Sequence, residues 1–208
     1  MSDLEERPAV ELCHAAGDET SSTITGRTVV LGRTQEVTRL LPDRRVRMIG
    51  AWCFCDHYGP EAVTETGGMR VWPHPHTGLA TVSWLFSGEI EHRDSMGHHV
   101  RVRPGELTIM TGGYGVVHSE MTPVAVPGAP VGDDLHGVQL WIALPEGVRN
   151  MAPALETVTD LPTASVDGVE VRVLVGSLAG VASPATVQSP LVAAQLDLAP
   201  GTSYELVV

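Results

Sequence analysis

In VWPHPHTG, His74 and His76 stand two residues apart, and in VVHSEM, His118 and Glu120 repeat that spacing. Residues two apart on a β-strand share a face, with Cα atoms about 6.6–7 Å from each other. One strand then offers two imidazoles to a common point, and the other an imidazole and a carboxylate. Facing each other, two such strands make a four-ligand cage for a single cation. Three neutral imidazoles and one carboxylate leave a divalent ion with a charge of about +1 and, if octahedral, two open positions for ligand exchange or chemistry. The donor set accepts iron, manganese, cobalt, nickel, copper or zinc, and affinity alone favours copper. A structural zinc is disfavoured, because such sites are usually closed and rich in thiolate.

Either pair alone is a weak signal, since alternating histidines on a half-buried strand also serve simply as hydrogen-bonding groups. Together they gain weight: each sits beside Gly or Pro punctuation, and about 40 residues of meander between them would carry the chain across a small barrel. His14, His57, His92, His98, His99 and His136 have no comparable partner, and surface or hydrogen-bonded roles are expected of them. Glu89, Glu91 and Asp94 read as the solvated face of a strand and its turn.

The elements that must position these residues are strands. Short β-type runs separated by turn signals begin near Ile24, helical periodicity is scarce, and the pattern indicates an all-β sandwich or barrel. TVSWLFSGEIEHRD puts Val82, Trp84 and Phe86 on one face, SMG supplies a reversal, and Pro104-Gly105 marks a second turn. Leu107 and Ile109 then alternate with Thr108 and Met110. Three glycines in TGGYG imply a bend that sets VVHSEM at the rim or inner wall of the barrel. Residues 1 to 22 lack sustained period and read as a mobile acidic tail, followed by a domain over 23–187. The Pro- and Ser-rich SPATVQSP reads as a linker, so that 188–208 would hold the linker's end and the first strands of a second unit. Two strands cannot stand alone; they are expected to belong to a longer chain or to be completed by packing on the first domain or on another subunit.

Composition narrows the function classes. With 208 residues, 43% hydrophobic and 18% charged, the chain can bury a sizeable core. No apolar run reaches the ~18 residues of a membrane span, and the N-terminus lacks the pattern of a secretory signal, so a cytoplasmic protein is expected. A net charge of -12 disfavours direct nucleic-acid binding. All thirteen basic residues are arginine, and their one dense group, Arg39, Arg44, Arg45 and Arg47, reads as solvated loop and strand surface. Cys13, Cys53 and Cys55 fit neither a CxxC pair nor a zinc knuckle, and the latter two read as small packing residues.

Through RLLPDRRVRMIGAWCFCDHYGP, HPHTGLATVSWLFSGEIEHRDSMG, RPGELTIMTGGYGVVHSEM and GVQLWIALP, from about Val29 to the end, the sequence resembles the pirin family of the cupin superfamily. The resemblance implies a cupin fold, a double-stranded β-helix or jelly-roll-like barrel, with the start of a second cupin barrel at the C-terminus. It implies an Fe(II) site at His74, His76, His118 and Glu120. It leaves the catalytic residues unassigned. Two readings of function follow. One is a quercetin 2,3-dioxygenase-type oxidoreductase acting on a small aromatic substrate; the other is a non-catalytic, redox-dependent regulatory protein that binds a protein partner. The family pattern has a basic residue and a Glu where this chain has Thr77 and Ala80. That Glu is expected to be an outer-shell or acid/base group of the metal site, and its loss is expected to weaken the enzyme reading.

Overall fold

The computed structural model describes residues 24–31, 35–123 and 134–204. The expected tail over 1–22 lies outside them. In chain order the strands are β1 (Arg27–Leu31), β2 (Gln35–Leu41), β3 (Trp52–Ala62), β4 (Arg70–His76), β5 (Leu79–Ser87), β6 (Ile90–Asp94), β7 (His99–Val102) and β8 (Leu107–Thr111). They continue with β9 (Val116–Met121), β10 (Asp134–Ala143), β11 (Ala154–Val158), β12 (Thr163–Val166), β13 (Val169–Val175), β14 (Ser177–Leu178), β15 (Val181–Ala182) and β16 (Ala193–Asp197). A single helical turn, α1 (Val63–Thr66), interrupts them. Among the described residues no helix is long and apolar enough to cross a membrane.

Two antiparallel sheets carry the molecule. The larger has the order β1-β2-β3-β10-β5-β8-β11 and the smaller β4-β9-β6-β7. They face each other across a core in which Val37, Tyr58, Leu85 and Leu135 of the larger sheet meet Ile90 and Val102 of the smaller. On the far side of the larger sheet, Ala80, Val82, Trp84, Leu107, Ile109 and Ile142 pack against Leu174, Val175 and Leu191. Sheets covered on both faces lose the plain in-out alternation. Hence all of Leu107, Thr108, Ile109 and Met110 are buried, whereas their alternation alone suggests one wet face. Val82, Trp84 and Phe86 do share a face, and the reversal after β6 turns on Gly97 at φ +93°.

Beyond β11 the order changes to a three-stranded sheet, β12-β13-β16. Glu170 to Val175 pair with Asp197 back to Ala193, so residues on either side of the expected boundary at 188 belong to one sheet. The Pro200-Gly201 turn expected near the C-terminus closes with the Thr202 amide donating to the Ala199 carbonyl at 3.0 Å, and residues 205–208 lie outside the described part.

The strands bearing the paired candidate ligands, β4 and β9, are neighbours in the smaller sheet, with β4 at its edge. Pro73 and Pro75 lack the N–H that a central strand needs, and an edge is where a sheet tolerates them. At the near end of β9, TGGYG bends as its glycines suggest. Gly113 adopts φ +52°, and a Cβ there would collide with the Met151 carbonyl oxygen. The Gly78 amide donates to the Gly113 carbonyl at 2.8 Å, which ties this bend to the end of β4 and fixes the two strands relative to each other.

Candidate metal centre

The antiparallel register places His74 directly opposite His118 and His76 opposite Val116, while a bulge between Val71 and His74 leaves Val71 opposite Glu120. The rings of His74, His76 and His118 converge, with centroids 4.4 Å apart for His74–His118 and 4.9 Å for each of the other two pairs. Their candidate ligand nitrogens all lie within 4.8 Å of one another. Metal–nitrogen bonds of about 2.0–2.1 Å put two ligand atoms roughly 3–4 Å apart, so closure on a cation takes a shift of about an ångström or less. That tight group does not include Glu120. Its buried carboxylate accepts a hydrogen bond from Gln139 Nε2 at 2.9 Å, and His74, Glu120 and Gln139 line one cavity of about 220 Å³.

Two of the imidazoles are already oriented. The Nδ1 of His74 lies 2.8 Å from the Trp72 carbonyl, which can only accept, so Nδ1 carries the proton and Nε2 is left with a free lone pair. His118 is 1% exposed, and its Nε2 is buried without a hydrogen-bond partner among the described residues. An orphaned buried nitrogen is costly unless something binds it. The free lone pairs and the acid beside them suit a divalent cation.

Burial, and then neighbouring His74, push His76 down from 6.5 to about 4. Burial, followed by His74, His76 and His92, pushes His118 to about 2, with Asp94 pulling the other way. Both rings stay neutral and ready to ligate at ordinary pH. Burial raises Glu120, against the Gln139 hydrogen bond and the nearby histidines, and a bound cation would offset that cost. For the metal-free protein, the unfolded chain takes up protons at His76 and His118 as pH drops below about 6.5, and the fold refuses them until far lower. Their contribution is complete above that pH and is lost on acidification, while Glu120 has the opposite sign. With two large imidazole shifts against one carboxyl, the thermal midpoint of metal-free protein should fall steadily between pH 7 and pH 4. His76→Gln should flatten that slope, and a midpoint that rises on acidification would contradict the assignment.

The cavity has one flat wall. Phe54 of β3 and Trp141 of β10 stack with centroids 3.9 Å apart, and Trp141 also meets His76 edge-on at 4.9 Å. The indole N–H of Trp141 is buried without a partner among the described residues. Arg39 lies over Phe54 at 4.5 Å, held by two 2.8 Å hydrogen bonds to the enclosed carboxylate of Asp56. Arg39 is therefore a cavity residue and departs from the solvated surface expected of its group; the signal, a lone Asp inside an apolar strand, lies elsewhere in the sequence.

His92 and Asp94 also depart from expectation. His92 is 3% exposed, with its Nδ1 3.4 Å from His118 Nδ1, and Asp94 is fully enclosed and not part of a solvated face. Their two-residue spacing on β6 is the same signal as HxH and HxE. Glu89 and Glu91 behave as surface acids, paired with Arg101, Arg103, Arg93 and His99. His57 and His136 pair with each other at 2.9 Å between Nε2 atoms. Cys53 and Cys55 are free thiols that burial pushes up, in keeping with packing roles.

Ala80 reverses an expectation. Trp141 and Gln139, on the cavity side, are paired with Thr81 and Ser83 of β5, so those two face the cavity. Ala80 points the opposite way, into the core behind the larger sheet. A Glu at this position in the present fold would not reach the histidines, so its absence takes nothing directly from the site.

Comparison with known proteins adds sequence evidence. A family model described as Pirin matches residues 34–142. A Pseudomonas aeruginosa protein described as "Putative quercetin 2,3-dioxygenase" is 41% identical over 199 residues, covering 94% of this chain and 61% of its own length. A Caulobacter vibrioides pirin-like protein is 37% identical over 176 residues, covering 82% and 60%. The crystal structure of a quercetin 2,3-dioxygenase from Acinetobacter baumannii superposes with a TM-score of 0.77 at 42% identity, over 83% of this chain and 56% of that one. The cupin-type, all-β architecture is shared with it. The chain spans about 60% of the length of the two relatives.

Proposed function

Because this chain belongs to the pirin family, we propose that it holds one Fe(II) ion through His74, His76, His118 and Glu120 and acts as a quercetin 2,3-dioxygenase-type oxidoreductase on a small aromatic substrate. The observation that carries this reading is the convergence of three imidazoles, one with an orphaned buried Nε2, beside a buried acid at an aromatic-walled cavity. Bound there, the metal supplies Lewis-acid and one-electron redox chemistry. The chain's own contribution is placement. Glu120, with only Oε1 engaged by Gln139, would complete the ligand set, and the Phe54–Trp141 stack, covered on its Phe54 side by Arg39, gives the cavity an aromatic wall. The Trp141 N–H, without a partner among the described residues, is a candidate donor to a substrate oxygen, and Arg39, its charge balanced by Asp56, lines the same cavity. Oxygen uptake by iron-loaded protein with quercetin tests the activity. Consumption above that of free iron is expected, and none would end the enzyme reading.

The cavity size favours a second reading. About 220 Å³ is below the ~300–1,000 Å³ usual for drug-sized ligands. Trp72 and Val117, on the same two strands as the histidines, stand 62% and 43% exposed. In this reading the chain is a cytoplasmic regulatory protein in which a change between Fe(II) and Fe(III) alters the charge beneath a protein-binding surface. Pull-downs from host lysate under reducing and oxidising conditions should differ, and identical partners in both would count against it. The pairing of β13 with β16 also supports placing the start of the second barrel near residue 163 and not at 188.

A further inference from the structure

Beside the three-histidine group, a line of polar side chains runs from buried His118 and His92 through the enclosed carboxylate of Asp94 to the exposed His98. His118 Nδ1 lies 3.4 Å from His92 Nδ1, His92 Nε2 lies 3.1 Å from Asp94 Oδ2, and His98 Nδ1 lies 2.9 Å from the same oxygen. The register that sets Asp94 opposite His118 and His92 opposite Glu120 puts this line beside the ligands on the same face of the sheet. The Asp94 Oδ1 accepts the amides of Met96 and His98 at 2.9 and 3.1 Å. Donors on both oxygens hold the carboxyl ionised, and an ionised carboxylate can only accept. The proton on His92 must then sit on Nε2. In the neutral ring this makes His92 Nδ1 an acceptor, so the donor across the 3.4 Å contact is His118 Nδ1–H. It follows that His118 carries no proton on Nε2, the one atom of that ring found buried without a partner.

We propose that His92 and Asp94 are positioning residues that hold His118 in the tautomer with its Nε2 lone pair free, and so set the affinity of the centre for a divalent cation. The inference rests on the metal reading above. Histidine ligands commonly donate their second N–H to an acceptor that fixes the ring and raises its basicity, and loss of that acceptor typically costs 10–100-fold in metal affinity. Here the acceptor is itself a histidine, whose own tautomer is imposed by a carboxylate, so the direction of every proton in the line depends on Asp94. In Asp94→Asn, Oδ1 can keep the two turn amides while Nδ2 presents a donor to His92 Nε2. His92 then changes tautomer, its Nδ1–H points at His118 Nδ1, and the proton of His118 moves to Nε2, where the metal should bind. The shape is preserved and the polarity is reversed.

Co(II) titration of the full chain, followed by its visible absorption and by chelator competition, tests this in wild type, Asp94→Asn, His92→Phe and His92→Asn. The wild type should bind one equivalent. Asp94→Asn and His92→Phe should bind about 10–100-fold more weakly, with the metal-free circular dichroism of the wild type. His92→Asn should recover part of the affinity lost in His92→Phe, because its Oδ1 can accept near the position of the imidazole Nδ1; a purely packing role for His92 predicts no such recovery. Wild-type affinity and spectrum in Asp94→Asn and His92→Phe would overturn the proposal and leave the metal reading standing. Should Asp94→Asn fail to fold, the His92 pair decides alone. A wild type that binds no Co(II) would overturn the metal reading itself, and this proposal with it.

Discussion

Protein purified without added metal should carry close to one equivalent of a transition metal, and His118→Ala should carry almost none. His118 is the most deeply buried of the three rings that converge, and its Nε2 has no hydrogen-bond partner among the described residues. Structural zinc sites gain roughly 10–16 kcal/mol from about four ligands, so the loss of one ligand costs on the order of 3–4 kcal/mol, or about 100–1,000-fold in affinity. The effect on folding is of the opposite character. Without metal, His118 is a desolvated ring held neutral by its surroundings, and removing it takes away a polar burden along with some packing. The variant should therefore keep its circular dichroism while losing its metal, and elemental analysis beside a thermal melt separates the two. His74→Ala is the companion variant, because His74 is less deeply buried and its removal leaves a smaller void. Full metal stoichiometry in both variants would show that the ion, if present, is held elsewhere.

The candidate site was partly legible because strand geometry is so regular. A spacing of two places His74 with His76 and His118 with Glu120 whatever the surrounding fold, and Pro73 and Pro75 mark the edge position of β4. Pairing between distant strands is not written in any local spacing. The spacing of His92 and Asp94 puts them on one face, but nothing in EHRDS says that β6 will lie beside β9 and put His92 against His118. The same limit applies to Asp56, whose partner Arg39 comes from a neighbouring strand 17 residues away. It applies also to β8, whose alternation implies one wet face until a further layer, around Leu174 and Leu191, covers it. Individual strands and their turns follow from local chemistry, whereas burial on a second face and lateral neighbours are decided by the assembled sheets.

Ala80→Glu should destabilise the protein strongly and leave the affinity of the metal centre unchanged. From a family pattern with Glu at this position, the opposite would be anticipated, namely that restoring the acid restores a group to the site. The direction of the side chain decides between them. Ala80 is 3% exposed, sits opposite Ile142 and Thr111 in its sheet, and belongs to the apolar cluster with Val82, Trp84, Leu107 and Ile109. The cavity lies on the other face of β5, that of Thr81 and Ser83. A carboxylate added at Ala80 enters an apolar cluster, and removing a charge from water without a partner costs several kcal/mol even after relaxation. A loss of about 3–5 kcal/mol corresponds in a domain of this size to a fall of roughly 6–20 °C in thermal midpoint. Ala80→Ser, which adds one polar atom and little volume, should cost much less, and the difference between the two measures the burial of charge. If Ala80→Glu instead melted like the parent and bound metal more tightly, its side chain would have to reach the histidines through the sheet, and the placement of the centre between β4, β9 and the Phe54–Trp141 wall would be wrong.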